Sequence, residues 1–155
     1  MLIVGAGPTG LMAANQLARF GVSFIIVDLK SGPTLESRAI AVTARSMELY
    51  QQMGLSDYIM EHGQIIDSVY AYSKGKKRAG VPIGQVGKGL SDFNQMMAFE
   101  QSKNESLLAD KLDKQGYQVE WETTFIRLDE FKERVIARVS KNDIESTVEA
   151  KYVIG

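Results

Sequence analysis

The sequence predicts an α/β fold: a parallel sheet flanked by helices, with an antiparallel β-meander and an inserted β excursion. Three observations carry this expectation. The β-branched run Leu2-Ile3-Val4 passes straight into the glycine cluster Gly5-Ala6-Gly7-Pro8-Thr9-Gly10. A helical pattern and a second apolar run ending at Asp28 follow, so strand, turn, helix and strand form one compact βαβ unit. Near the other end, from Phe125 onward, short apolar runs alternate with polar turns, as an antiparallel meander requires.

Each element has a local reason. Gly10, Ala13, Ala14, Leu17 and Gly21 recur at helical spacing, giving a helix over about 8–20 with Gly21 at its left-handed cap. Ser23 to Val27 is a continuous apolar run, the signature of a strand buried on both faces. Lys30-Ser31-Gly32-Pro33 is turn chemistry. Thr43 can cap a helix over roughly 44–53 that presents Met47, Tyr50 and Met53 on one side and stops at Gly54. Ser56 can cap a shorter helix ending at Gly63.

From Ile65 to Phe99 the period changes to two, with Ile66, Ser68, Tyr70 and Tyr72 set against Asp67, Val69 and Ala71, and a turn at Lys74 to Gly80 suggests a hairpin. Ser102-Lys103-Asn104-Glu105 has the form of a capping box. It opens a helix to Gln115 with Leu108 and Leu112 inward and Gly116 as its cap. Tyr117 to Trp121 reads as a strand. The meander then runs through Phe125–Phe131, Arg134–Ser140 and Ile144–Glu149, turning at Lys132-Glu133 and Lys141-Asn142-Asp143. Tyr152-Val153-Ile154 starts a further buried strand. A chain that stops on an apolar strand and one glycine reads as the front part of a larger protein, so residues 1–155 are expected to form an incomplete domain.

Composition narrows the chemistry. At 155 residues the chain suits one domain, and 45% hydrophobic with 24% charged residues is the balance of a globular protein. Eighteen basic against nineteen acidic residues give no basic face for nucleic acid. No apolar run approaches the ~20 residues of a membrane span, and no secretory signal opens the chain, so a cytoplasmic location is expected. The absence of cysteine removes disulfides, thiolate metal sites and a thiol nucleophile, and a single histidine removes His-rich metal sites. No metal is expected.

The chemistry therefore rests on Gly5-x-Gly7-x-x-Gly10. Alone it is a weak pattern. Here a strand precedes it, a helix follows, and an acid closes the next strand about 20 residues on, which completes the Rossmann dinucleotide fingerprint. Gly5 permits the tight turn, Gly7 lets a pyrophosphate approach the backbone, and Gly10 lets the helix lie close on the sheet. Pro8 occupies the first helical turn, where its missing N–H costs nothing. The helix N-terminus then favours the phosphate charge. Asp28 can accept the ribose hydroxyls of an adenosine and would repel a 2′-phosphate, so NADP is not expected in this site. The fingerprint itself is silent between FAD and NAD.

Beyond the fingerprint, "LIVGAGPTGLMAANQLARFGVSFIIVD" followed by "SRAIAVTARSMELYQQMGLSDYIMEHG" resembles the N-terminal half of the class A flavoprotein monooxygenases, the para-hydroxybenzoate hydroxylase family. The Arg38-Ala39 pair, Met47-Glu48-Leu49 and Gln101 after the β excursion make the match narrower than the glycines alone. The resemblance implies FAD held by Gly5, Gly7, Pro8, Thr9, Gly10, Asp28, Leu29, Arg38 and Gln101. Arg38 matches an arginine near the pyrophosphate and flavin, a role that suits a guanidinium; as a surface residue it could instead pair with Glu36 or Glu48. Gln101 matches a glutamine that contacts the cofactor, and could equally be a plain polar helix entry. Arg45 falls where the family is often basic, and its place in a first helical turn, unfavourable for the dipole, points to a task outside the helix.

The resemblance further implies NADH or NADPH as transient reductant, O2, and a small aromatic substrate that is hydroxylated. Residues 65–99 would belong to or border the substrate domain. Catalytic residues are not assigned, and this stretch of chain is expected to be inactive by itself. The alternatives are an FAD-dependent halogenase or reductase of the same superfamily, an NAD-dependent dehydrogenase, or a non-catalytic dinucleotide-binding fragment. The remaining candidates are bland: His62 ends a short helix, Lys74, Lys76, Lys77 and Arg78 solvate a hairpin tip, Met96 and Met97 line the interior, and Asp129-Glu130 sit in the meander.

Overall fold

The computed structural model describes residues 1–35, 41–84 and 88–155. In chain order, β1 (Leu2–Val4) leads into α1 (Pro8–Arg19) and β2 (Ile25–Val27). Next come β3 (Ala41–Val42), α2 (Ala44–Gln52) and α3 (Ser56–His62). The excursion holds β4 (Gln64–Ile66), β5 (Ser68–Ser73), β6 (Lys76–Pro82) and β7 (Met96–Ala98). α4 (Gln101–Lys114) and β8 (Val119–Glu120) then precede the meander, β9 (Thr123–Glu130), β10 (Val135–Lys141) and β11 (Ile144–Ala150), and β12 (Val153–Ile154) follows.

The chain divides into two compact units, Met1–Glu36 with Ser102–Gly155, and Ser37–Gln101. The first is built on a parallel sheet of order β12-β1-β2-β8. In it Leu2 pairs with Ile25 on one side and Val153 on the other. Its two faces are covered differently. Leu2 and Val27 form one apolar cluster with Ala137 and Ala150, joined by Val4, Phe125, Leu128, Val135, Val148 and Val153, so the meander packs on that face. Ile3, one residue out of phase, faces α1. There the buried Leu11 and Ala14 of α1 and Leu108 and Leu112 of α4 supply the apolar layer. Asn15, fully buried on α1, donates from Nδ2 to the carbonyls of Leu11 and Leu108 at 2.9 and 3.0 Å and so ties the two helices together.

The meander, order β11-β10-β9, is antiparallel throughout, with an irregularity between Arg138 and Val139. Its β10–β11 turn is Asn142-Asp143, both at positive φ, 52° and 60°. That is the two-residue turn whose twist matches the flanking strands.

In the second unit β3, β7 and β4 form an antiparallel sheet, while β5 and β6 form a separate hairpin. Among its described residues the buried hydrophobic side chains are Val42, Met47, Tyr50, Met53, Ile59, Met97 and Phe99. Several sequence expectations shift here. The hairpin turns tightly at Lys74-Gly75, and the lysine- and glycine-rich stretch after it is strand rather than loop. The alternation of residues 66–72 does not bury one face: Val69, Tyr70, Tyr72 and Val81 are all exposed. Leu55, not Ser56, is the N-cap of α3, and its carbonyl accepts from the Ile59 N–H at 3.3 Å. Thr43 does cap α2, its Oγ1 accepting from the Ser46 N–H. The strand expected over Tyr117–Trp121 shortens to Val119–Glu120. Among the described residues no helix is long and apolar enough to cross a membrane.

Candidate functional site

The glycine turn sits where β1 hands over to α1. Gly5 adopts φ +103°, a conformation that side-chain-bearing residues rarely take, and its N–H donates to the Val27 carbonyl at 2.8 Å. Gly10 answers a different demand. A Cβ there would lie 1.9 Å from the Gly5 carbonyl oxygen, so the first turn of α1 closes onto the strand exit only without a side chain.

Gly7 is the reverse case. Its φ of −79° suits any residue, and an added Cβ would meet no described residue within 4 Å. The requirement for glycine at this position is therefore not internal packing; it leaves open space in front of the helix end. Gly7 is the N-cap of α1 and offers no side-chain acceptor to the first-turn amides. Such amides lack intrahelical partners, and the helix end carries partial positive charge. Pro8 is the first helical residue and Thr9, beside it, is exposed.

Asp28 closes the site from the end of β2. It is 9% exposed, and its carboxylate turns back to the glycine turn: Oδ2 accepts from the Ala6 N–H at 2.6 Å and Oδ1 from the Lys30 N–H at 2.8 Å. Its backbone is pinned on the other side, donating to the Glu120 carbonyl at 3.1 Å and accepting from the Thr123 N–H at 2.9 Å. The acid and the glycine turn, joined through Ala6 22 residues before Asp28, are thus one structure. Each carboxylate oxygen keeps a further lone pair for a hydroxyl donor. An open cradle at a helix N-terminus beside a fixed carboxylate fits a diphosphate joined to a ribose.

The other expected site residues divide. Leu29 follows Asp28 with its side chain 73% exposed. Gln101 is the first residue of α4, half-buried, and falls in the second unit. Arg38 lies outside the described residues. Arg45 turns to its own helix, donating to Glu48 Oε2 at 2.7 Å. That bond, followed by one from Ser91, holds the Glu48 carboxyl below the usual carboxylate range. His62 caps its helix locally, its Nδ1 2.9 Å from the Tyr58 carbonyl and its ring stacked on Tyr58. Among the described residues no group of His, Asp and Glu is placed to hold a metal.

Sequence reasoning did not single out Lys30 or Trp121, and it gave Glu105 only the part of a capping-box residue. Ser102 is instead inside α4, and Glu105 is fully buried with its Oε2 3.0 Å from Lys30 Nζ. The same ammonium lies 3.9 Å from Asp28 Oδ2 and 5.9 Å from the centre of the Trp121 ring. A lysine two residues after the strand-end acid was the visible signal; its partner 75 residues away was not.

Comparison with known proteins agrees with this geometry. Residues 1–155 match the FAD binding domain family. The chain is 27% identical over 155 residues to 6-methylpretetramide 4-monooxygenase of Streptomyces rimosus, covering all of this chain and 28% of that protein. It is 29% identical over 158 residues to pentachlorophenol 4-monooxygenase of Sphingobium chlorophenolicum, covering all of this chain and 29% of the relative. Among solved structures it is similar to the flavin-dependent monooxygenase PieE in complex with FAD and substrate, with a TM-score of 0.87 and 25% identity over 99% of this chain and 29% of that one. The chain thus spans under a third of the length of these relatives. With the family matched from first residue to last and the glycine cradle and Asp28 in place, the chain belongs to the FAD binding domain family.

Proposed function

We propose that the chain is the FAD-holding part of an NAD(P)H- and O2-dependent monooxygenase that hydroxylates an aromatic or similar small molecule. One observation carries the cofactor half of this reading: Gly7 faces open space at the N-terminus of α1 while Asp28, hydrogen-bonded to Ala6, closes the same turn. The relatives named above, two of them monooxygenases of ring compounds by name, support the reaction half.

In this reading the first-turn amides of α1 bind the diphosphate, with Gly5, Gly7, Pro8, Thr9 and Gly10 shaping the cradle. Asp28 accepts the adenosine ribose hydroxyls, and Leu29 borders them. Arg38 and Gln101 take the roles that the family resemblance gives them, at the pyrophosphate and beside the cofactor. When bound, FAD supplies the electron-accepting and O2-activating ring that amino acid side chains lack. The residues of this chain orient it and exchange its phosphate hydration for fixed N–H groups. Residues 65–99 belong to or border the substrate domain, the active site is completed outside this stretch, and the enzyme works in the cytoplasm.

The test is direct. The purified protein is expected to carry a yellow, FAD-type absorbance spectrum, and the parent protein to consume NADH or NADPH faster when phenolic compounds are added. Colourless protein that takes up no added FAD would overturn the cofactor assignment. FAD uptake without aromatic-stimulated NAD(P)H consumption would overturn the hydroxylase assignment alone.

A further inference from the structure

Glu105 is a carboxylate with no exposed surface, and such a group remains ionised only where cations and N–H donors replace water. Its Oε2 accepts from Lys30 Nζ at 3.0 Å and from the Thr34 N–H at 2.7 Å. Both donors lie on the segment that leaves β2 just past Asp28. Lys30 therefore stands between two carboxylates, nearer to Glu105 than to Asp28, whose Oδ2 is 3.9 Å away. An ammonium is a compact charge on a flexible four-carbon stem, and it settles on whichever acceptor holds it best. The buried oxygen of Glu105, in a low-dielectric setting, outcompetes the partly wet Asp28.

We propose that Glu105 is a positioning residue of the cofactor site: it holds the Lys30 ammonium away from Asp28 and so keeps that carboxylate available to the ribose hydroxyls of FAD. The inference rests on the FAD reading above. Without the Glu105 charge, Lys30 closes the remaining gap onto Oδ2 of Asp28 and occupies the acceptor that the ribose needs. Thr34, anchored to the same oxygen, fixes the path of the chain between the two acids.

The experiment is a second-site rescue read by FAD titration, with thermal unfolding of each variant alongside. Glu105→Gln is expected to weaken FAD binding by roughly tenfold, the scale of coupling within one ion-pair network. Adding Lys30→Gln to it is expected to restore most of the loss, because the competing ammonium is gone and the buried pair is neutral. A purely structural role for Glu105 gives no such restoration. Should Glu105→Gln alone fail to fold, the double variant Glu105→Gln/Lys30→Gln, which leaves neither a buried charge nor a competing ammonium, is compared directly with the wild type and is expected to bind FAD with nearly its affinity. A roughly tenfold loss there overturns the proposal. Unchanged FAD affinity in the Glu105 variant, or a double variant no tighter than the single, overturns the proposal. A wild-type protein that binds no FAD overturns the cofactor reading instead.

Discussion

The Asp28 carboxylate accepts the backbone N–H of Ala6 at 2.6 Å, so the acid at the end of β2 is aimed by the glycine turn after β1 rather than by its own strand. One hydrogen bond thereby links the two halves of the proposed dinucleotide site, the part assigned to phosphate and the part assigned to sugar. The charge of Asp28 is committed to this corner before any ligand arrives.

Asp28→Asn tests that commitment. The amide retains one acceptor oxygen and turns a donor toward the Ala6 or Lys30 N–H, so one contact is kept and the other becomes repulsive. FAD affinity is expected to fall by about 1.5–3 kcal/mol, the value of hydrogen bonds to a charged group. Flavin fluorescence titration of wild type and variant measures it, and equal affinities would remove Asp28 from the site.

Gly10 and Gly7 are expected to separate folding from binding. Gly10→Ala sets a methyl 1.9 Å from the Gly5 carbonyl oxygen and forces the turn apart, costing about 1–3 kcal/mol of stability or more. Gly7→Ala meets no described residue within 4 Å, so its melting temperature without ligand should match wild type while FAD binding weakens. Calorimetry with and without FAD distinguishes the two. A Gly7→Ala protein that binds FAD normally would contradict the cradle.

Glu48 gives an acid-limb test in the second unit. Its carboxyl is held low first by the Arg45 hydrogen bond and then by that of Ser91, with burial working weakly against them. A pKa lower in the folded than in the unfolded state contributes stability above the unfolded value, near about pH 4.3, and loses it as pH falls through the folded value. Arg45→Ala is therefore expected to lower the melting temperature at neutral pH and to converge on wild type on acidification. A gap that stays constant down to acid pH would show that the pair is not the cause.

The β10–β11 turn offers a gain. Asn142 and Asp143 both hold positive φ, and of the two Asp143 is followed directly by the strand. Asp143→Gly should relieve the steric cost and raise stability by about 0.5–1 kcal/mol, measured by denaturant midpoint. A lower midpoint would mean that the aspartate side chain contributes more than the backbone relief.

Much of the first unit was legible in the sequence because its signals are local. The β1 run, the Pro8 helix start and the acid at residue 28 each fall within one short window, and the meander turns are marked by polar pairs. The inward residues Leu108 and Leu112 followed from helical spacing and are fully or almost fully buried. What escaped depends on distance. Glu105 fits a capping box by spacing, yet its oxygen serves Lys30 and Thr34, and no window of sequence contains all three. The hairpin of β5 and β6 alternates like a half-buried strand pair, but burial needs a partner layer, and period alone does not say whether one is there. Leu55 as the α3 cap breaks a side-chain rule that Ser56 seemed to satisfy, because the Tyr50 carbonyl already takes the Leu55 N–H and sets where the next helix begins.

The parallel sheet also dictates an order of assembly during synthesis. β1 finds β2 almost at once, yet its other neighbour, β12, is about 150 residues later, and the meander that covers Leu2 and Val27 arrives only shortly before it. At ribosomal speeds the nascent βαβ seed waits about 6 to 25 seconds with one greasy face bare. The proposed nucleotide cradle is thus the first piece drafted and among the last secured, which makes the emerging chain a natural client for a chaperone that shields exposed strands.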